Sequence, residues 1–95
     1  MKFPIMIHKT QQFELQQDLL LTNMKELGNA SFRLWCSIAS DKSEWIKMTV
    51  NSAANDISMT FSPTRRAIEE LIEKCYLVET NEGTFDFFFW GGQKQ

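Results

Sequence analysis

Residues 62–78, SPTRRAIEELIEKCYLV, hold a helix start, one complete apolar stripe and the beginning of a strand. Ser62 can cap a helix through its hydroxyl, and Pro63 suits the first helical position, where its missing N–H is not needed. Ala67, Ile68, Leu71, Ile72 and Cys75 then recur at helical spacing and predict a single buried face. Past them, Tyr76–Thr80 and Thr84–Trp90 are rich in aromatic and β-branched residues and are separated by Asn81, Glu82 and Gly83. Gly83 offers the positive φ that a short hairpin loop needs. The stretch therefore predicts a helix that runs directly into a β-hairpin.

Upstream, Asn51 or Ser52 can cap a shorter helix to about Ser58, with Ala53, Ala54 and Ile57 inward and a break at Met59, Thr60 and Phe61. Before it, Trp45–Val50 alternates after the polar turn DKSE and predicts a short strand. Asn29 can cap a helix over Ala30–Asp41. Leu34, Trp35, Ile38 and Ala39 form its stripe, widened by Phe32 and Cys36, and a helix so apolar belongs at the centre of a small domain. Leu20, Met24 and Leu27 predict another short helix ending at Gly28 as C-cap, preceded by an extended piece with Phe13 and Leu15 on one side. Phe3–Ile7, FPIMI, is β-prone, but Pro4 lacks a ladder donor, so an edge strand or tethered arm is expected. The expected fold is α+β: a three-helix core with a short strand and a C-terminal hairpin. Residues 1–12 form an N-terminal arm, 13–90 the domain and 91–95 a flexible tail.

A chain of 95 residues suits one core, and a hydrophobic content of 43% with 13% aromatics excludes disorder from lack of buriable surface. The net charge of −2 counts against a strongly basic nucleic-acid binder, since phosphate neutralisation drives most such affinity. Cys36 and Cys75 have no CxxC arrangement and sit on apolar stripes, as buried reduced thiols would. The apolar run Phe3–Ile7 is too short for a signal-peptide core, and no segment reaches the roughly 18 apolar residues of a membrane span. A cytoplasmic location without membrane contact is expected.

SPTRRAIEELIEKCYLV resembles the recognition helix and first wing strand of winged helix-turn-helix proteins, with their polar cap, paired basic residues, A-I-x-x-L face and closing Y-L. FELQQDLL, KELGNASFRLWCSIAS and the Trp45 strand resemble the entry to bacterial phage- or plasmid-borne helix-turn-helix domains of replication-initiator and MarR-like type. The likeness spans about Phe13 to Phe89. It implies a DNA-binding function in transcription regulation or replication, with the third helix in the major groove and the hairpin as wing. Ser62, Pro63, Arg65 and Arg66 would face the groove, and Asn81 would lie by a minor groove or phosphate. Thr64 would occupy a position usually held by a small apolar core residue. Two features depart from the pattern: Cys75 replaces a glycine often found at the helix end, and the wing tip Asn81–Gly83 is acidic.

Arginine forks can grip a guanine edge or a phosphate from a helix start, which marks Arg65 and Arg66. The structural alternative pairs them with Glu69 and Glu70 at i, i+4. Glu69, Glu70 and Glu73 read as a solvated face. Lys9, Lys25, Lys42 and Lys47 read as solubilising charges, with Lys47 also a phosphate contact. His8, the only histidine, lacks the companions of a triad or zinc site; no metal, cofactor or catalytic constellation is expected. Gly91 and Gly92 precede no helix and form no phosphate loop. In TFDFFFW, Phe85, Phe87 and Phe89 point one way while Asp86, Phe88 and Trp90 point the other. One core cannot bury both faces. The second calls for cover by the N-terminal arm, by a second copy of the chain, or by another protein, which marks Phe88, Trp90, Phe3 and Ile5 as a protein interface. A dimeric DNA binder is the first expectation, and a protein-interaction module that does not bind DNA the second.

Overall fold

A computed structural model describes residues 2–9 and 16–91. Along them run β1 (Ile5–Lys9), α1 (Gln17–Glu26), α2 (Asn29–Ser40), β2 (Trp45–Met48), α3 (Val50–Ile57), α4 (Phe61–Glu73), β3 (Leu77–Asn81) and β4 (Thr84–Phe87). The chain is α+β, with four helices sharing one core with a four-stranded mixed sheet of order β2-β1-β4-β3. The expected extended piece around Phe13 and Leu15, and all of the expected tail except Gly91, lie outside the described residues.

The largest correction concerns the N-terminus. β1 is neither an edge strand nor an arm: it lies between β2, which it pairs antiparallel, and β4, which it pairs parallel. Pro4 falls just before the first paired residue, Ile5, so its missing donor removes no ladder bond. Ile5 and Ile7 are wholly buried beside Phe85 and Phe87, while Met6 and His8 occupy the opposite face.

The helices follow their apolar spacing, with shifted ends. α2 buries Leu34, Trp35, Ile38 and Ala39 at the centre, as expected. Its N-cap is Gly28 rather than Asn29, and Gly28 has φ −64°, so it opens α2 instead of closing α1 in a left-handed turn. α3 is capped by Thr49, whose hydroxyl accepts the Ser52 N–H at 3.1 Å while the Ser52 hydroxyl accepts the Thr49 N–H at 3.0 Å. α4 begins one residue before Ser62, with Thr60 as N-cap, and Pro63 still sits within the first turn, where no backbone donor is required. Its buried stripe is Thr64, Ala67, Ile68 and Leu71; the Thr64 hydroxyl donates to the Thr60 carbonyl at 2.8 Å, which satisfies a polar group in an apolar position.

α1 takes a different phase from the expected one. Its inward residues are Leu19 and Asn23, whereas Met24 is 55% exposed. Apolar periodicity cannot reveal a buried asparagine. Asn23 is held between Tyr76 Oη, which donates to its Oδ1 at 2.6 Å, and the Phe89 carbonyl, which accepts from its Nδ2 at 2.8 Å. These bonds fasten α1 to the segments on either side of the hairpin. Gly91 approaches the same tyrosine, and a Cβ there would lie 2.5 Å from Tyr76 Cε1.

Helix ends are completed by distant side chains. Lys9 Nζ donates to the Ala39 carbonyl at 3.1 Å and to that of Asp41, Lys74 Nζ to the Glu26 carbonyl, and Arg33 to the Ile57 carbonyl at 3.3 Å. Three cations thus cover the C-terminal ends of α2, α1 and α3, where the helix dipole favours positive charge. Lys9 is therefore a structural group, and burial lowers its pKa, opposed by Asp41.

Cys75, past the end of α4, has φ +64°, the backbone region that favours glycine. Neither thiol is fully buried as expected; Cys36 and Cys75 are both half-buried, and burial pushes the Cys36 thiol up. Asn81 belongs to β3 and pairs with Thr84, leaving a tight turn in which Gly83 has φ 77°.

Candidate functional site

α4 presents one face to the core and leaves Phe61, Ser62, Arg65, Arg66, Glu69 and Glu73 exposed on the other. Its short predecessor α3 leads into it through Ser58, Met59 and Thr60, and the left-handed Ser58 (φ 56°) sets the change of direction. The helix carries no acidic residue in its first turn and no basic residue in its last. That distribution runs against the helix dipole, so the charges are not arranged to stabilise the helix in isolation.

The two arginines are not equivalent. Arg65 Nε lies 3.9 Å from Glu69 Oε2 with both side chains about half exposed, a pair worth only a few tenths of a kcal/mol. Arg66 does not pair with Glu70. Glu70 turns instead to the start of α2, where its Oε1 accepts the Gly28 N–H at 2.9 Å, and its Oε2 lies 3.9 Å from Lys74 Nζ. Its carboxyl is held below the ordinary range by the Ser31 side chain first, then by Gly28 N–H and Lys74, with burial opposing them. Glu70 is thus a structural group rather than part of a solvated face. Arg66 has no ion-pair partner among the described residues.

Ser62, Pro63, Arg65 and Arg66 come together through α4 alone. Lys47 lies on β2 and Asn81 on β3, at opposite edges of the sheet. Three strand spacings separate those edges, roughly 14 Å. Met6 N–H donates to the Gly83 carbonyl at 2.8 Å, which ties the hairpin tip to β1.

The expected protein interface also divides. Ile5 has no exposed surface, Phe3 and Phe88 are half-buried, and Trp90 is 37% exposed. Phe85, Phe87 and Phe89 all face the core, as the alternation predicted. β1 adds to the edge of β4 instead of lying across its second face. Trp90 borders a surface cleft of about 390 Å³ shared with Thr22, Glu26, Lys74, Tyr76 and Gly91.

His8, on the outer face of the sheet, stacks on Trp45 with ring centroids 4.3 Å apart. Its Nε2 lies 3.0 Å from Glu44 Oε2 and its Nδ1 3.6 Å from Asp86 Oδ1. Among the described residues no group of three or more His, Cys, Asp and Glu is placed to hold a metal ion, and no helix is long and apolar enough to cross a membrane.

Sequence reasoning missed Phe61, which it assigned to the break between helices; the structure makes it the first residue of α4, 49% exposed. It also missed the structural work of Lys9, Glu70 and Lys74, whose partners are 30 or more residues away. No protein-family model, curated protein or solved structure matches the chain.

Proposed function

We propose that the chain is a winged-helix DNA-binding domain of transcription-regulation or replication-associated type, with α3 and α4 as the helix-turn-helix and the β3–β4 hairpin as a reduced wing. The observation that carries this reading is the exposed start of α4, where Arg65 has one weak partner and Arg66 has no carboxylate partner among the described residues. Guanidinium groups held in this way are available to a guanine edge or a phosphate without first breaking a strong internal contact. The wing contributes little, because its tip carries Glu82 and is tied to β1. Two arginines on a chain of net charge −2 bind weakly, so a dimer that presents two copies of α4 fits the reading best.

The test is fluorescence anisotropy with a random duplex at low and moderate salt, on wild type and on the Arg65→Ala, Arg66→Ala double variant, with circular dichroism on both. Salt-sensitive binding that disappears in the folded double variant supports the reading. Absence of binding at low salt removes it. The second reading, a protein-interaction module on the same scaffold, draws on the acidic net charge and on Trp90 at the rim of its cleft; it predicts a folded protein that ignores the duplex.

A further inference from the structure

Phe61 is the first residue of α4, is 49% exposed, and lies outside the hydrophobic core. The carbonyl of Thr60, the N-cap, accepts the Thr64 N–H and hydroxyl, which fixes the backbone of the turn that carries Phe61. One turn further on, at i+4 and so on the same helical face, stands Arg65, with Ser62 and Arg66 beside it. A single exposed phenylalanine on a protein surface needs no explanation. This one shares its face with two exposed guanidinium groups, a combination that matches a surface at once anionic and, at defined points, apolar.

The major groove is such a surface. Its phosphates and guanine edges take arginine, and its one apolar group is the C5-methyl of thymine, which an aromatic side chain contacts well. Resting on the DNA reading above, we propose that Phe61 reads a thymine C5-methyl group within about two base pairs of a guanine held by Arg65. The spacing follows from the geometry of the two helices. Phe61 and Arg65 are four residues apart, about 6 Å along the helix axis. Adjacent base pairs are separated by about 3.4 Å. A partner protein that met this face would leave duplex binding absent, and a single strand would present bases for stacking rather than a methyl ordered in a groove.

The experiment begins with selection from a random thymidine-containing duplex pool, followed by anisotropy on the selected site with each thymidine replaced in turn by deoxyuridine. That replacement deletes only the methyl group and leaves charge and hydrogen-bonding edges unchanged. Wild type is expected to lose about fourfold in affinity at one position, the transfer value of one methyl group, within two base pairs of a selected guanine. The Phe61→Ala variant is expected to bind thymidine and deoxyuridine sites equally. Uniform tolerance of deoxyuridine by wild type overturns the inference while leaving DNA binding intact, as does a methyl preference that persists in Phe61→Ala. Absence of any duplex binding overturns the underlying reading instead. Circular dichroism checks that Phe61→Ala is folded; Phe61→Gln, which keeps a helix-compatible side chain of similar length without the apolar ring, carries the same expectation and the same overturning outcome.

Discussion

Glu70 Oε1 accepts the backbone N–H of Gly28 at 2.9 Å, so the middle of α4 is tied to the start of α2 by a carboxylate that its own helix expected to share with Arg66. The bond places negative charge at a helix N-terminus, where the dipole favours it. One residue therefore both positions α4 and leaves Arg66 without that partner.

Replacing Glu70 with Gln should lower stability at neutral pH by about 1–2 kcal/mol, the range for a partly exposed charge-assisted hydrogen bond. The folded Glu70 carboxyl lies below its ordinary value of 4.5. Its contribution is thus complete above that value and is lost as the pH falls through the folded one. Urea unfolding should show a wide gap between wild type and Glu70→Gln at pH 7 that narrows at acidic pH; a gap that widens in acid contradicts the assignment.

Asn23→Ala removes both hydrogen bonds that join α1 to Tyr76 and Phe89 and should cost about 2 kcal/mol. Tyr76→Phe should cost about 1 kcal/mol, and the two changes together less than their sum, because they share one bond. Denaturant midpoints of the two single variants and the double variant measure the coupling directly.

Cys75→Gly should stabilise the chain by about 1 kcal/mol, since the position is left-handed and a side chain there is strained. In a domain this small that raises Tm by about 4–8 °C. A Tm that stays level or falls would show that the thiol contributes contacts that outweigh the backbone strain.

Under the DNA reading, Arg66→Ala should reduce the slope of log affinity against log salt by about one, as loss of a phosphate contact does, whereas Arg65→Ala should cost about 1–3 kcal/mol of binding and relax the preference for guanine at its position. Both side chains are exposed, so thermal stability should change by less than about 0.5 kcal/mol. Glu69→Gln, which frees Arg65 from its weak partner, should strengthen binding slightly.

Much of the architecture was legible because it depends on spacing. The stripe Ala67, Ile68 and Leu71, the alternation of Phe85, Phe87 and Phe89, and the turn at Gly83 all express local periodicity. The exposed arginines of the candidate site were legible for the same reason. What escaped depended on partners distant in sequence. Asn23 reads as a surface residue until Tyr76 and Phe89 are placed around it, and Lys9 reads as a solubilising charge until the end of α2 is brought beside it. Phe61 was misplaced because helix boundaries depend on which residue supplies the cap, and Thr60 and Ser62 are equally plausible by type.

The parallel pairing of Met6 with Thr84 has a consequence for synthesis. During translation β1 is made before every other described element, and its parallel neighbour β4 after all of them. The ribosome must therefore deliver all four helices before the sheet can close. At bacterial or eukaryotic elongation rates the strand waits for seconds, with Ile5 and Ile7 still lacking the cover of Phe85 and Phe87. A nascent chain halted before residue 84 would present those two residues to whatever chaperone or neighbouring chain reaches them first.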